Sequence, residues 1–98
     1  MKNGGGLFLR EPVAVIASFN KVGDAMPLYI QLEKGENKVD LKIVECTKTD
    51  GQLGRSSSYR CRASYKNKQV EFNLDLYKGT TNWYITISNS TFDGLFKV

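Results

Sequence analysis

Apolar and polar residues alternate along most of this chain with a period of two, in six runs separated by turn residues. Alternation sends successive side chains to opposite faces of an extended strand, so each run predicts a half-buried β-strand. The first run, Pro12–Phe19, places Val13, Val15, Ala17 and Phe19 on one side and Ala14, Ile16 and Ser18 on the other. It is apolar on both sides and calls for cover on both. The second, Pro27–Glu33, turns Leu28, Ile30 and Leu32 inward and Tyr29 outward. The third, Lys38–Thr47, starts with Val39, Leu41 and Ile43 inward and slips phase at Val44 and Cys46, which predicts a β-bulge. The fourth, Ser58–Lys66, carries Tyr59, Cys61, Ala63 and Tyr65, and after a turn at Asn67-Lys68 the fifth carries Val70, Phe72, Leu74 and Leu76. The sixth, Asn82–Ser88, turns Trp83, Ile85 and Ile87 inward. The remaining Asn89–Val98 fits either a short helical turn or a last strand at Leu95–Val98.

Hairpin registers test whether these strands belong together, because a one-residue slip reverses every side chain. Pairing Glu33 with Lys38 sets Leu32 against Val39, Ile30 against Leu41 and Leu28 against Ile43. Pairing Lys66 with Gln69 sets Ala63 against Phe72, Cys61 against Leu74 and Tyr59 against Leu76. Pairing Tyr77 with Asn82 sets Leu76 against Trp83 and Leu74 against Ile85. All three agree in parity. Short connections and the lack of a long helical pattern then predict an antiparallel meander closing into a small all-β, SH3-like barrel of five to six strands. An oligonucleotide-binding barrel fits less well, because Lys48–Ser57 lacks a mid-chain helix pattern. The expected organisation is a flexible tail at 1–9, including Gly4-Gly5-Gly6, and one barrel domain at 10–98.

Arg10-Glu11-Pro12-Val13-Ala14-Val15, continuing through Ala17, Phe19, Gly23 and Pro27-Leu28-Tyr29-Ile30, resembles the opening of a group of small uncharacterised proteins from Gram-positive bacteria. Those proteins also end in a strand containing Trp. The resemblance covers about a fifth of the chain and rests mostly on core-forming residues. It implies a bacterial intracellular protein of shared fold, and carries no activity, ligand or catalytic residue.

Composition narrows the chemistry. The chain has 98 residues and no histidine, so it supports one small core and lacks the usual acid–base group and the commonest metal ligand. Ser56, Ser57 and Ser58 therefore have no imidazole base. Glu71 and Asp75 share a strand face about 13 Å apart, beyond glycosidase spacing. Cys46 and Cys61 cannot complete a four-ligand zinc site alone and read as small buried hydrophobes. No catalytic residue, metal or cofactor is expected. Arg10, Glu11 and Pro12 interrupt any apolar run of signal-peptide length, and no segment is long enough to span a membrane, so a cytoplasmic protein is expected.

The net charge of +4 is localised. Gly51–Val70 holds Arg55, Arg60, Arg62, Lys66 and Lys68 and no acidic residue, while the rest of the chain is net −1. The register above places Asp75 opposite Arg60 and Asn73 opposite Arg62, with Tyr84 on the same outer face. The leading expectation is a non-enzymatic binding module with a protein partner, using a surface or an exposed strand edge. The alternative is nucleic-acid binding on the Arg55, Arg60, Arg62, Lys66, Lys68, Asn73 and Tyr84 face, where arginines would meet phosphates and the tyrosine would stack a base. The doubly apolar first strand further predicts that Phe92–Val98 or a second copy of the chain covers Ile16.

Overall fold

The computed structural model describes residues 7–49 and 56–97. Six strands, β1 (Phe8–Phe19), β2 (Ala25–Lys34), β3 (Asn37–Thr49), β4 (Ser56–Tyr65), β5 (Lys68–Tyr77) and β6 (Trp83–Ser88), precede one helix, α1 (Asn89–Leu95). The strands pair antiparallel in chain order, and β6 returns to β1 to close the barrel. This is the small all-β meander barrel that the alternation predicts. Among the described residues no helix is long and apolar enough to cross a membrane.

Closure requires long strands to change neighbours. β1 pairs with β6 along Phe8–Val13 and with β2 along Ala14–Phe19. β3 pairs with β2 up to Lys42 and with β4 from Lys42 to Thr49. An extra residue bends each hairpin. Val44 has no counterpart between the Ile43–Ala63 and Glu45–Arg62 pairs, so the bulge expected there is present and leaves Val44 exposed. A second bulge, at Leu28 between the Ile16–Tyr29 and Ala17–Pro27 pairs, was not legible in the alternation. It inverts the phase of β2, so Pro27 is buried and Leu28, expected inward opposite Ile43, is partly exposed.

One core fills the barrel. Ile30, Leu32, Leu41, Cys61, Ala63, Leu74, Ile85 and Ile87 are almost fully buried, joined by Val39, Tyr59, Val70, Phe72 and Trp83. Rings of Tyr59 and Trp83 lie 5.8 Å apart, and the Tyr59 hydroxyl donates to the Ala25 carbonyl at 2.9 Å, tying β4 to the start of β2. Burial desolvates that phenol and raises its pKa. The C-terminal residues take the helical option. Ser88 caps α1 by accepting from the Thr91 N–H at 3.2 Å, and the helix sends Phe92 and Leu95 into the core. A bond from the Asn89 N–H to the Leu7 carbonyl and the Lys34–Asp93 ion pair hold it across that end.

Three expectations are corrected. Phe8 and Leu9, assigned to the tail, belong to β1 opposite Ser88 and Ile87, because barrel closure supplies them with a partner strand. The β4–β5 turn is Lys66-Asn67 rather than Asn67-Lys68, and both residues have positive φ, as a two-residue hairpin turn matching strand twist requires. Pairs therefore shift by two residues: Tyr59 faces Leu74, Cys61 faces Phe72 and Ala63 faces Val70. Parity is unchanged, which is why the hydrophobic pattern did not discriminate. Finally, Phe19, expected inward, is exposed because it sits beyond the point where β6 ends.

Leu74 is fully buried on a central strand, so Leu74→Ala is expected to cost about 2–5 kcal/mol through lost burial and the cavity left behind. Val44→Ala, at an exposed bulge, is expected to change stability by less than about 0.5 kcal/mol. Urea denaturation of the two variants checks both values.

Candidate binding surfaces

The outer face of β1, β6, β5 and β4 is organised by Arg10. Its guanidinium donates to Asp75 Oδ2 at 2.7 Å and to the Tyr77 hydroxyl at 2.7 Å, and lies 5.1 Å from the centre of the Tyr84 ring. Tyr77 and Tyr84 stack tilted at 5.3 Å, and Ser58 Oγ donates to Asp75 Oδ1 at 2.6 Å. The hydrogen bond to Asp75, more than any other contact, raises the Arg10 pKa. One arginine thus fastens β1 to β5 across β6.

This network redistributes the basic face read from the sequence. Asp75 stands opposite Ser58, not Arg60, and its charge is taken by Arg10. Arg60 instead faces Asn73, is exposed, and has no ion pair or side-chain hydrogen bond among the described residues. Arg62 faces Glu71 on β5 and Glu45 on β3, pairing with Glu45 at 3.0 Å, while its Nε is buried without a partner among the described residues. Tyr84 is half-buried beneath Arg10 rather than open for stacking. Lys66 lies over the Tyr65 ring at the hairpin turn, Lys68 is exposed beside it, and Arg55 lies outside the described residues. Of the predicted set, the fold brings only Arg60 and Asn73 together on one open surface. They line a polar groove of about 500 Å³ with Phe8, Glu71, Thr86 and Ser88, where the β5–β6 ladder ends at Asn73–Thr86.

The second surface is apolar. Past Val13, β1 has left β6 and pairs only with β2, so the outward backbone edge of Ala14–Phe19 has no ladder partner among the described residues. Beside that edge runs a groove of about 490 Å³ lined by Val13–Ala17, Phe19, Thr81 and Trp83. On the outer face of the same hairpin Ile16 is 64% exposed, Met26 59%, Tyr29 42% and Leu28 36%, with Phe19 58% exposed at its tip. This is the largest concentration of exposed apolar side chains among the described residues, of the size that the main apolar patch of a small protein reaches. The sequence flagged Ile16 and Tyr29. Leu28 and Phe19 were missed because the bulge and the end of β6 are tertiary events. Phe92 and Leu95 fold into the core, so the described part of the C-terminal segment, through Lys97, does not cover Ile16.

Cys46 and Cys61 face each other across β3 and β4 as free thiols, sulfurs 3.7 Å apart. Burial pushes both thiol pKa values up, Cys61 the more strongly, so neither supplies a thiolate nucleophile at neutral pH.

A guanidinium that bonds a carboxylate and a phenol while covering a ring is not replaced by an ammonium. Arg10→Ala is expected to lose about 1 kcal/mol in urea denaturation at low salt, less at high salt, with Arg10→Lys recovering under half of it. The thiols give a pH signature. The unfolded thiol ionises near its ordinary value while Cys61 stays protonated, so the fold is favoured below about pH 8.5 and loses stability as pH rises beyond it. Denaturation under reducing conditions from about pH 7 to 10 should show a smaller decline for Cys61→Ala than for wild type. Compared with known proteins, the chain matches no family model, no curated protein and no solved structure.

Proposed function

We propose that this protein is a non-enzymatic interaction module that docks a protein partner on its β1–β2 hairpin. The observation that carries this reading is the coincidence of a strand edge unpaired among the described residues with an apolar face that is uncharged over Ala14–Phe19 and Ala25–Gln31. An edge offers main-chain hydrogen bonds and the flanking side chains offer burial, the two components of recognition by strand addition. The adjacent free thiols fit a reducing compartment such as a bacterial cytoplasm.

Nucleic-acid binding is the second reading. Arg60, without an ion pair among the described residues and beside Asn73 and the exposed Phe8, favours it, whereas the acidic partners of Arg62 and Arg10 oppose it. Affinity purification from the source cells separates the two. Partner protein recovered by wild type is expected to be lost with Ile16→Lys and Tyr29→Lys, and retained with Arg60→Ala and after nuclease treatment. Retention in the hairpin variants, together with oligonucleotide binding that falls steeply with salt and disappears in Arg60→Ala, would establish the second reading instead.

A further inference from the structure

We propose that the open edge of β1 pairs antiparallel with the same edge of a second copy of this chain, Ile16 facing the partner's Ile16 across a two-fold axis. This inference rests on the reading of the β1–β2 hairpin as the docking surface and names its occupant.

The absence of charge leaves this edge unguarded. No residue from Pro12 to Asn20 is charged, and the free segment Ala14–Phe19 contains no proline. Exposed edges in proteins that stay monomeric are normally guarded by lysine, proline, an inward charge or a covering element. Among the described residues this one has none along its free length, and its neutrality makes it compatible with itself. The residues flanking it differ in sign, Glu11 before and Lys21 after. An antiparallel partner brings Lys21 of one copy to the same end of the ladder as Glu11 of the other.

Register follows from symmetry. Residues directly opposite in an antiparallel ladder share a face, so a two-fold axis through the sheet must pass through a self-paired residue. Centring on Ile16 sets Ala14 against the partner's Ser18 and Val15 against the partner's Ala17. That uses the edge up to the point where Trp83 of β6 pairs with Val13 and blocks it. The two hairpins then form one four-stranded sheet, β2–β1–β1–β2, with Ile16, Leu28 and Tyr29 of both copies on one outer face.

Area sets the expected strength. At the exposures of Ile16, Phe19, Met26, Leu28 and Tyr29 the hairpin leaves on the order of 500 Å² open per copy. Edge pairing covers chiefly the share at Ile16 beside the axis and leaves Met26, Leu28 and Tyr29 on the outer face, so the dimer is smaller than a stable interface and is expected to be weak and concentration-dependent.

Sedimentation velocity of the full chain from about 10 to about 500 µM tests this over the range where an interface of that size associates. Wild type should show a twofold rise in mass. Ile16→Lys and Ile16→Asp should each remain monomeric because like charges meet at the axis, and an equimolar mixture of the two should regain the dimer. Ile16 is mostly exposed, so both variants should retain the near-ultraviolet signal of Trp83. Independently, Ile16→Cys should cross-link to itself under mild oxidation at least tenfold faster than Ser18→Cys, since Ser18 faces Ala14. A wild-type monomer at every concentration, a dimer that persists in both charged variants, or failure of their mixture to associate overturns the inference. If the monomer still captures a protein that Ile16→Lys loses, the docking reading stands and only the second copy is wrong. If capture is also unaffected by Ile16→Lys, both fall.

Discussion

Closing six strands into one barrel forces β1 to serve two neighbours, β6 along Phe8–Val13 and β2 along Ala14–Phe19. The rest of the surface follows from that division. Where β6 stops, the β1–β2 hairpin continues as a two-stranded ribbon with a free edge. Where the β5–β6 ladder stops at Asn73–Thr86, the wall opens into the polar groove beside Arg60. The bulges at Leu28 and Val44 belong to the same bending, and each turns one apolar residue outward. Both candidate surfaces lie where a ladder runs out, which is where backbone groups and side chains become available to a partner.

Charge is redistributed by the same folding. A segment that carries five basic and no acidic residues in sequence is partly neutralised by acids on other strands. Glu45 and Glu71 flank Arg62, and Asp75, the nearest acid to Arg60 in the sequence register, is held by Arg10 from β1. Electrostatic complementarity thus goes largely into barrel closure, leaving Arg60 as the open arginine among the described residues. The apolar hairpin carries no charge over Ala14–Phe19 and Ala25–Gln31, and its outer side chains stay exposed.

The thiols and the phenol inside the barrel are fixed by the same closure. A core this small holds its two thiols 3.7 Å apart at an opposed pair on neighbouring strands, where burial keeps them protonated. Tyr59 is likewise occupied, its hydroxyl spent on the Ala25 carbonyl. Both sets of side chains serve packing and closure.

Six strands, most of their inward residues, the bulge at Val44 and the parity of the β2–β3, β4–β5 and β5–β6 hairpins follow from alternation, because side-chain facing is a local, period-two property of the backbone. Ile16 stood out for the same reason, an apolar residue on the wrong face of an apolar strand. Absolute register did not follow. A shift of two residues keeps each side chain on its face, so only the positive-φ turn at Lys66-Asn67 and the volumes meeting inside the barrel chose Cys61–Phe72 over Cys61–Leu74. Nor did the partners of Arg10, since the contact with Asp75 spans 65 residues and exists only once β6 brings β1 beside β5. The sequence by itself determined which residues face in and which face out wherever the ladder is regular, and failed at Leu28 and Phe19, where a bulge and the end of β6 intervene. Tertiary closure decided which outward residues meet each other and which stretch of strand edge is left unpaired, because ring closure is a global constraint that no local pattern encodes.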